Sequence, residues 1–279
     1  MRWKSGRRSS NVEDRRGTRA KMGRGVKIGG GTAIIALLLS LLLGQDPTGI
    51  LQQMSEGQSA SVPTQANAAQ DEAADFVSVV LADTEDTWSG LFRAAGSQYI
   101  KPNLVLFSDA VNSACGYNTA ATGPFYCPGD QKVYLDLSFL NELQRFGAHG
   151  DFAVAYVIAH EVGHHIQRII GTEQQVRQAQ RQASQREANK LSVAMELQAD
   201  CYAGVWAHHA HKQRQILEEG DVEEGLNAAA SVGDDRMQKM AGRRVQPEAF
   251  THGSSEQRAY WFRRGLESGQ TDKCDAFSA

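Results

Sequence analysis

His160-Glu161-Val162-Gly163-His164 sets two imidazoles four positions apart, with a carboxylate directly after the first. On a helix, positions i and i+4 lie on one face a turn apart, so both rings can address one cation while Glu161 stands beside it. Neutral imidazoles suit zinc, and a carboxylate in that place suits a general base acting on water. The flanking residues, "FAVAYVIA" before and "IQRII" after, are apolar. Polar groups buried among them need partners, and a metal would supply them. The plainer alternative is a pair of hydrogen-bonded core histidines with an exposed Glu161. His165 lies about 100° around the helix from His164 and cannot share its vertex, which predicts a supporting or exposed position.

A catalytic zinc takes three protein ligands and keeps one position for water. The extended pattern that continues with Gly and a third His is absent, because Gln167 and Ile170 stand there. The third ligand must come from Glu173, Glu187, Glu196 or the group His208, His209 and His211. Glu196 in "MELQADCYAG" is the best placed. Asp200 follows one turn later and can accept the outer ring N–H of a ligand histidine. Ala199, Ala203 and Gly204 are small enough for close packing against the first helix. A solvated acidic face is the competing reading of Glu196 and Asp200. To stabilise an oxyanion, His252 in "THGSSEQR", just before a helix start, is preferred over His209 and Tyr202. His208, His209 and His211 fit a solvated helix end more readily than a catalytic role.

The elements that must position these residues are mainly helical. The apolar period predicts helices over 151–170, closed by Gly171, and over about 189–212, with a polar Gln- and Arg-rich stretch between them. Ser254 and Gln257 form a capping box for a last helix, and an earlier one begins near residue 71. "NLVLF" (103–107) and "KVYLDLS" (132–138) read as strands, with 124–138 as a hairpin that could present its edge to an extended peptide. The expected fold is α+β: a mostly helical, zincin-like metallopeptidase domain with a small antiparallel sheet, preceded by one transmembrane helix.

That last expectation comes from charge and hydropathy. The first 27 residues hold ten Lys or Arg against Glu13 and Asp14, a net of +8, so the overall −3 leaves −11 for the rest of the 279-residue chain. Residues 28–44, "IGGGTAIIALLLSLLLG", are uncharged and just long enough to cross a bilayer. The positive-inside rule then predicts a basic cytoplasmic tail (1–27), a single-pass anchor (28–44), a linker (45–70) and an extracytoplasmic domain (71–279). A cleavable signal is the alternative; its nearest Ala-x-Ala ends at Ala68. The cations are read as an orientation signal, with no nucleic acid among the partners. The four cysteines form an even set in a compartment where disulfides persist: Cys115 with Cys127 would close a short loop and Cys201 with Cys274 would tie the C-terminal tail to a helix, with buried free thiols as the alternative and the pairing open.

On "MRW", "NVEDRRG", "AHEVGHHIQ", "ELQADCYAG" and "HGSSEQRAYWFRRG" followed by Cys274, the chain resembles the bacterial family of putative neutral zinc metallopeptidases, expected to be single-span membrane proteins. The resemblance covers nearly everything outside the linker. It implies His160, His164 and Glu196 as zinc ligands and Glu161 as the catalytic glutamate. Residues and resemblance together predict a membrane-anchored, gluzincin-like Zn²⁺ peptidase that hydrolyses peptide or protein substrates outside the cytoplasm, with a zinc-bound water activated by Glu161. The alternatives are a zinc-containing envelope binding or assembly module without catalysis, and a zinc amidase acting on cell wall.

Overall fold

The computed structural model describes residues 1–17 and 68–278. A four-stranded sheet has the order β1 (Val12–Asp14), β2 (Asn103–Phe107), β6 (Lys132–Asp136), β5 (Phe125–Cys127). The central strands β2 and β6 are buried along most of their length, as near-continuous apolar runs require. A separate hairpin, β3 (Ala110–Ser113) with β4 (Gly116–Thr119), is tied to the end of β5 by the Cys115–Cys127 disulfide.

The helices are α1 (Ala68–Ala94), α2 (Phe139–Arg145), α3 (Asp151–Ile169), α4 (Thr172–Gln180), α5 (Gln185–Arg214), α6 (Asp221–Ser231), α7 (Asp234–Met240) and α8 (Ser255–Ser268). Fourteen of the nineteen residues of α3 are buried, which makes it the core helix on which the rest is assembled. Gly171, at a φ of 90°, takes the left-handed turn that separates α3 from α4. Reciprocal capping boxes, Ser184 with Glu187 and Ser254 with Gln257, start α5 and α8. The second disulfide, Cys201–Cys274, ties the middle of α5 to the C-terminal segment.

Two expectations about the fold are corrected. The sheet is mixed: β5 runs antiparallel to β6, but β1–β2 and β2–β6 are parallel. The chain between β2 and β6 contains β3, β4 and β5, long enough for a crossover that returns β6 in the direction of β2. The transmembrane helix ahead of the domain is the second. Residues 28–44 lie outside the described residues, and among those described no helix is long and apolar enough to cross a membrane.

The described part of the basic tail also belongs to the body of the domain. β1 adds the outer parallel strand to β2, and the Arg16 guanidinium donates to the Gln70 carbonyl at the start of α1. One crossing between residues 17 and 68 would set these partners on opposite faces of a bilayer. The cations are matched by the acidic face of α1: Arg7 pairs with Glu85 and Asp86, Arg8 with Asp75, and Arg16 with Asp71. The α-ammonium of Met1 lies 2.7 Å from Asp151 at the start of α3. Arg7, Arg8 and Arg16, read as part of an orientation signal, are intramolecular partners.

Candidate active site

Close approach of α3 to α5 builds the site. A Cβ on Gly163 would stand 2.9 Å from the Ala199 carbonyl oxygen, so the small pair Gly163 and Ala199 sets the interhelical distance. α8 is drawn in equally closely, because a Cβ on Gly265 would fall 2.0 Å from the Cys201 carbonyl oxygen. His160 and His164 of α3 thereby face Glu196 of α5, and Arg258 of α8 reaches the same place.

His160 Nε2 lies 3.2 Å from Glu196 Oε2, and His164 Nε2 lies 3.5 Å from Glu196 Oε1. The three ligand atoms stand within 4.8 Å of one another. Nitrogen and oxygen ligands at about 2.0–2.1 Å from a tetrahedral zinc are separated by about 3.3 Å. The donor set, two imidazoles and one carboxylate, and its spacing therefore fit such an ion. Glu161 is buried, and among the described residues its carboxylate carries no hydrogen bond or ion pair.

The outer ring nitrogens are held as well. Asp200, fully buried, accepts from His160 Nδ1 at 2.8 Å, from the Tyr156 hydroxyl at 2.5 Å and from Arg258 Nε and Nη2, both at 2.9 Å. His164 Nδ1 lies 2.9 Å from Gln167 Oε1, and Gln167 donates in turn to the Met195 carbonyl on α5. Fixing the outer nitrogen fixes the tautomer and aims Nε2 at the cation position.

Electrostatics favour positive charge there. Burial alone would lower the His160 pKa, but Asp200 and Glu196 outweigh it and carry it up to about 10. His164 is raised against its burial by Glu196. Burial would raise Glu196, yet the two histidines hold it well below the carboxylate range. Burial would likewise raise Asp200, but Arg258 and His160 keep it below the ordinary aspartate value. These carboxylates stay ionised and attract a cation, in contrast to the solvated acidic face that was the competing reading.

Of the other sequence candidates, His252 lies near Glu196 and the rest are engaged elsewhere. His252, half-exposed, sits in a turn whose backbone N–H groups at Thr251, His252 and Gly253 all donate to Asp234 Oδ2. Its Nδ1 lies 3.2 Å from Asp234 Oδ1. Burial lowers the His252 pKa, while Asp234 and the nearby Glu196 raise it to a net increase. His165, fully buried, is placed between the Tyr126 hydroxyl at 3.0 Å and the Ile100 carbonyl at 2.6 Å, fastening α3 to β5. His208 and His209 bond the carbonyls of Leu266 and Gly269 at the end of α8. Tyr202 packs edge-on to Trp88 in the core, and Glu187 is spent in its capping box. Glu173 pairs with Arg168 and Arg177.

Arg258 and Asp234 escaped the sequence reading. Arg258 had a signal: with Phe262 and Gly265 it lies on the buried stripe of α8, and an arginine on an apolar stripe needs a buried anion. Asp234, in the first turn of a seven-residue helix, offered none.

The family described as "Putative neutral zinc metallopeptidase" matches residues 1–277. An uncharacterized protein of Escherichia coli strain K12, YpfJ, is 48% identical over 285 residues, covering 99% of each chain. An uncharacterized protein of Mycobacterium tuberculosis strain H37Rv, Rv2575, is 37% identical over 255 residues, covering 86% of this chain and 85% of its own. No solved structure matches the chain.

Proposed function

The chain belongs to the family described as "Putative neutral zinc metallopeptidase", and from that premise we propose that it hydrolyses peptide bonds with one zinc ion held by His160, His164 and Glu196. The observation that carries this reading is the convergence of those three ligand atoms, with Glu161 close enough to act electrostatically on His164 and its carboxylate making no hydrogen bond or ion pair among the described residues. Bound there, zinc would act as a Lewis acid toward a water molecule and a peptide carbonyl. Glu161 takes the proton of the attacking water and returns it to the leaving amine nitrogen. Asp200 and Gln167 keep the two imidazoles oriented, and Arg258 keeps Asp200 ionised. His252, steadied by Asp234, donates to the developing oxyanion.

The substrate backbone has a support in β5. This outer strand pairs only with β6 among the described residues and rests on α3 through Tyr126 and His165. An extended peptide can add to its free edge. The two disulfides support an oxidising, extracytoplasmic workplace.

The test uses the full chain, because residues 1–16 are part of the folded domain. A diverse peptide mixture is offered to the protein as loaded with zinc, after chelation, and after zinc is restored. Cleavage that disappears and returns with the metal is expected. A chain holding one equivalent of zinc that cleaves neither peptides nor unfolded proteins would turn the reading toward a zinc-containing binding module, or toward a cell-wall amidase if wall fragments are cut.

A further inference from the structure

One helical turn beyond His164, the cleft changes character. His160, His164 and Arg168 follow one another at i, i+4 and i+8 on the same face of α3, so Arg168 stands about 6 Å along the axis from the second ligand. It lines a groove of about 500 Å³ with Pro128, Gly129, Glu173, Arg177 and Arg181. Pro128 and Gly129 continue the chain directly from β5. On the proposed reading, a peptide laid along the β5 edge would continue over Pro128 and Gly129 into this groove. Cys115, disulfide-bonded to Cys127, adds a fixed wall.

Three arginines and one carboxylate line this groove, an excess of two positive charges in a molecule whose overall charge is −3. Arg168 and Arg177 converge on the buried Glu173, while Arg181, one turn after Arg177, is exposed and its guanidinium has no hydrogen bond or ion pair among the described residues. A concave surface of one sign concentrates ligands of the other, and guanidinium forks match carboxylates in both geometry and charge.

From this placement we propose that the groove is a substrate subsite for a carboxylate. The group is either an acidic side chain a few residues from the bond that reacts or the free C-terminus of the peptide. This specificity rests on the peptidase reading, but the groove can be tested without turnover.

Binding of fluorescent peptides is measured by anisotropy on the full-length, zinc-loaded Glu161→Gln protein. The peptides come in matched sets, with Glu against Gln at one internal position and with free-acid against amidated C-termini. Losing the carboxylate should weaken binding about tenfold, and Arg181→Gln should reduce that discrimination to within about threefold, with Arg181→Glu abolishing it. Dependence on the internal Glu in both terminal forms assigns the subsite to a side chain. Dependence on the free terminus alone assigns it to the C-terminus. Equal binding of all four peptides, or discrimination unmoved by the Arg181 changes, overturns the proposal. The same sets given to the parent separate the two readings: cleavage without charge preference removes the subsite and keeps the peptidase, whereas charge-selective binding without cleavage keeps the subsite and removes the peptidase.

Discussion

At the scale of single residues, the centre depends on one buried anion. Asp200 joins His160, Tyr156 and Arg258, so Asp200→Asn keeps the shape but removes the charge that both the imidazole and the guanidinium face. Zinc affinity should fall about 10- to 100-fold, the usual cost of losing an outer hydrogen-bond partner of a ligand histidine. Chelator competition checks this, and unchanged affinity would show that Asp200 does not orient His160. The proposed ligand residues stood out in the sequence because their chemistry sits in local spacing: His160 and His164 four apart, Glu196 and Asp200 four apart beside small residues. Arg258 was harder to find, because its partner is 58 positions away and its neighbours Arg263 and Arg264 look the same in the sequence. The buried fate of His165 depends on Tyr126 and Ile100, which only the fold brings near.

At the scale of elements, one contact spaces the helices of the site and another docks the N-terminal segment, and each can be broken separately. Gly163→Ala would press a methyl group onto the α5 backbone at Ala199, and the helices must part by a few tenths of an ångström. Overpacking of this kind costs about 1–3 kcal/mol. Because the shift opens the distance between the histidines and Glu196, zinc affinity should drop as well; a stability loss with zinc binding intact would mean that the contact supports the fold alone.

The other contact docks the N-terminal segment on α1. Glu85, fully buried, accepts from the Ser9 hydroxyl at 2.5 Å, the Asn11 amide at 2.7 Å and Arg7 at 2.9 Å. Burial would raise its pKa, but these hydrogen bonds and Lys101 hold it below the usual glutamate value. A lowered folded-state pKa gives stability that is present above the unfolded value of about 4.5 and lost as pH falls through the lower folded value. Hydrogen exchange at residues 12–14 should therefore accelerate below about pH 4.5. In Glu85→Gln it should already be fast at neutral pH; protection that stays equal in both proteins and at both pH values would remove Glu85 as the docking group. The elements themselves were accessible to periodicity and capping signals, as at Ser254 with Gln257. The parallel pairing of β1, which joins residues about 90 positions apart, left no local trace.

At the scale of the whole molecule, charge distribution misled where the folded structure corrects it. A run of cations before an apolar stretch has the form of a topology signal, but Arg7, Arg8 and Arg16 are answered by carboxylates on α1 more than fifty positions away. The disulfides hold the same body together at two ranges. Cys201–Cys274 spans 73 positions and Cys115–Cys127 spans 12, so loop-closure entropy makes the former worth about 4 kcal/mol and the latter about 3. Denaturant unfolding of Cys201→Ser/Cys274→Ser should show the larger loss and should also disturb Asp200, the neighbour of Cys201; equal stability with and without the bridge would contradict that role.

The central claim is that His160, His164 and Glu196 hold zinc while Glu161 moves the proton. Its most direct test compares peptide cleavage by the full-length protein and by Glu161→Gln, with zinc content measured in both. The account predicts one zinc per chain in each protein and cleavage falling at least about 100-fold in the variant, the lower end of a general base's contribution. Full cleavage by a zinc-loaded Glu161→Gln protein would contradict it.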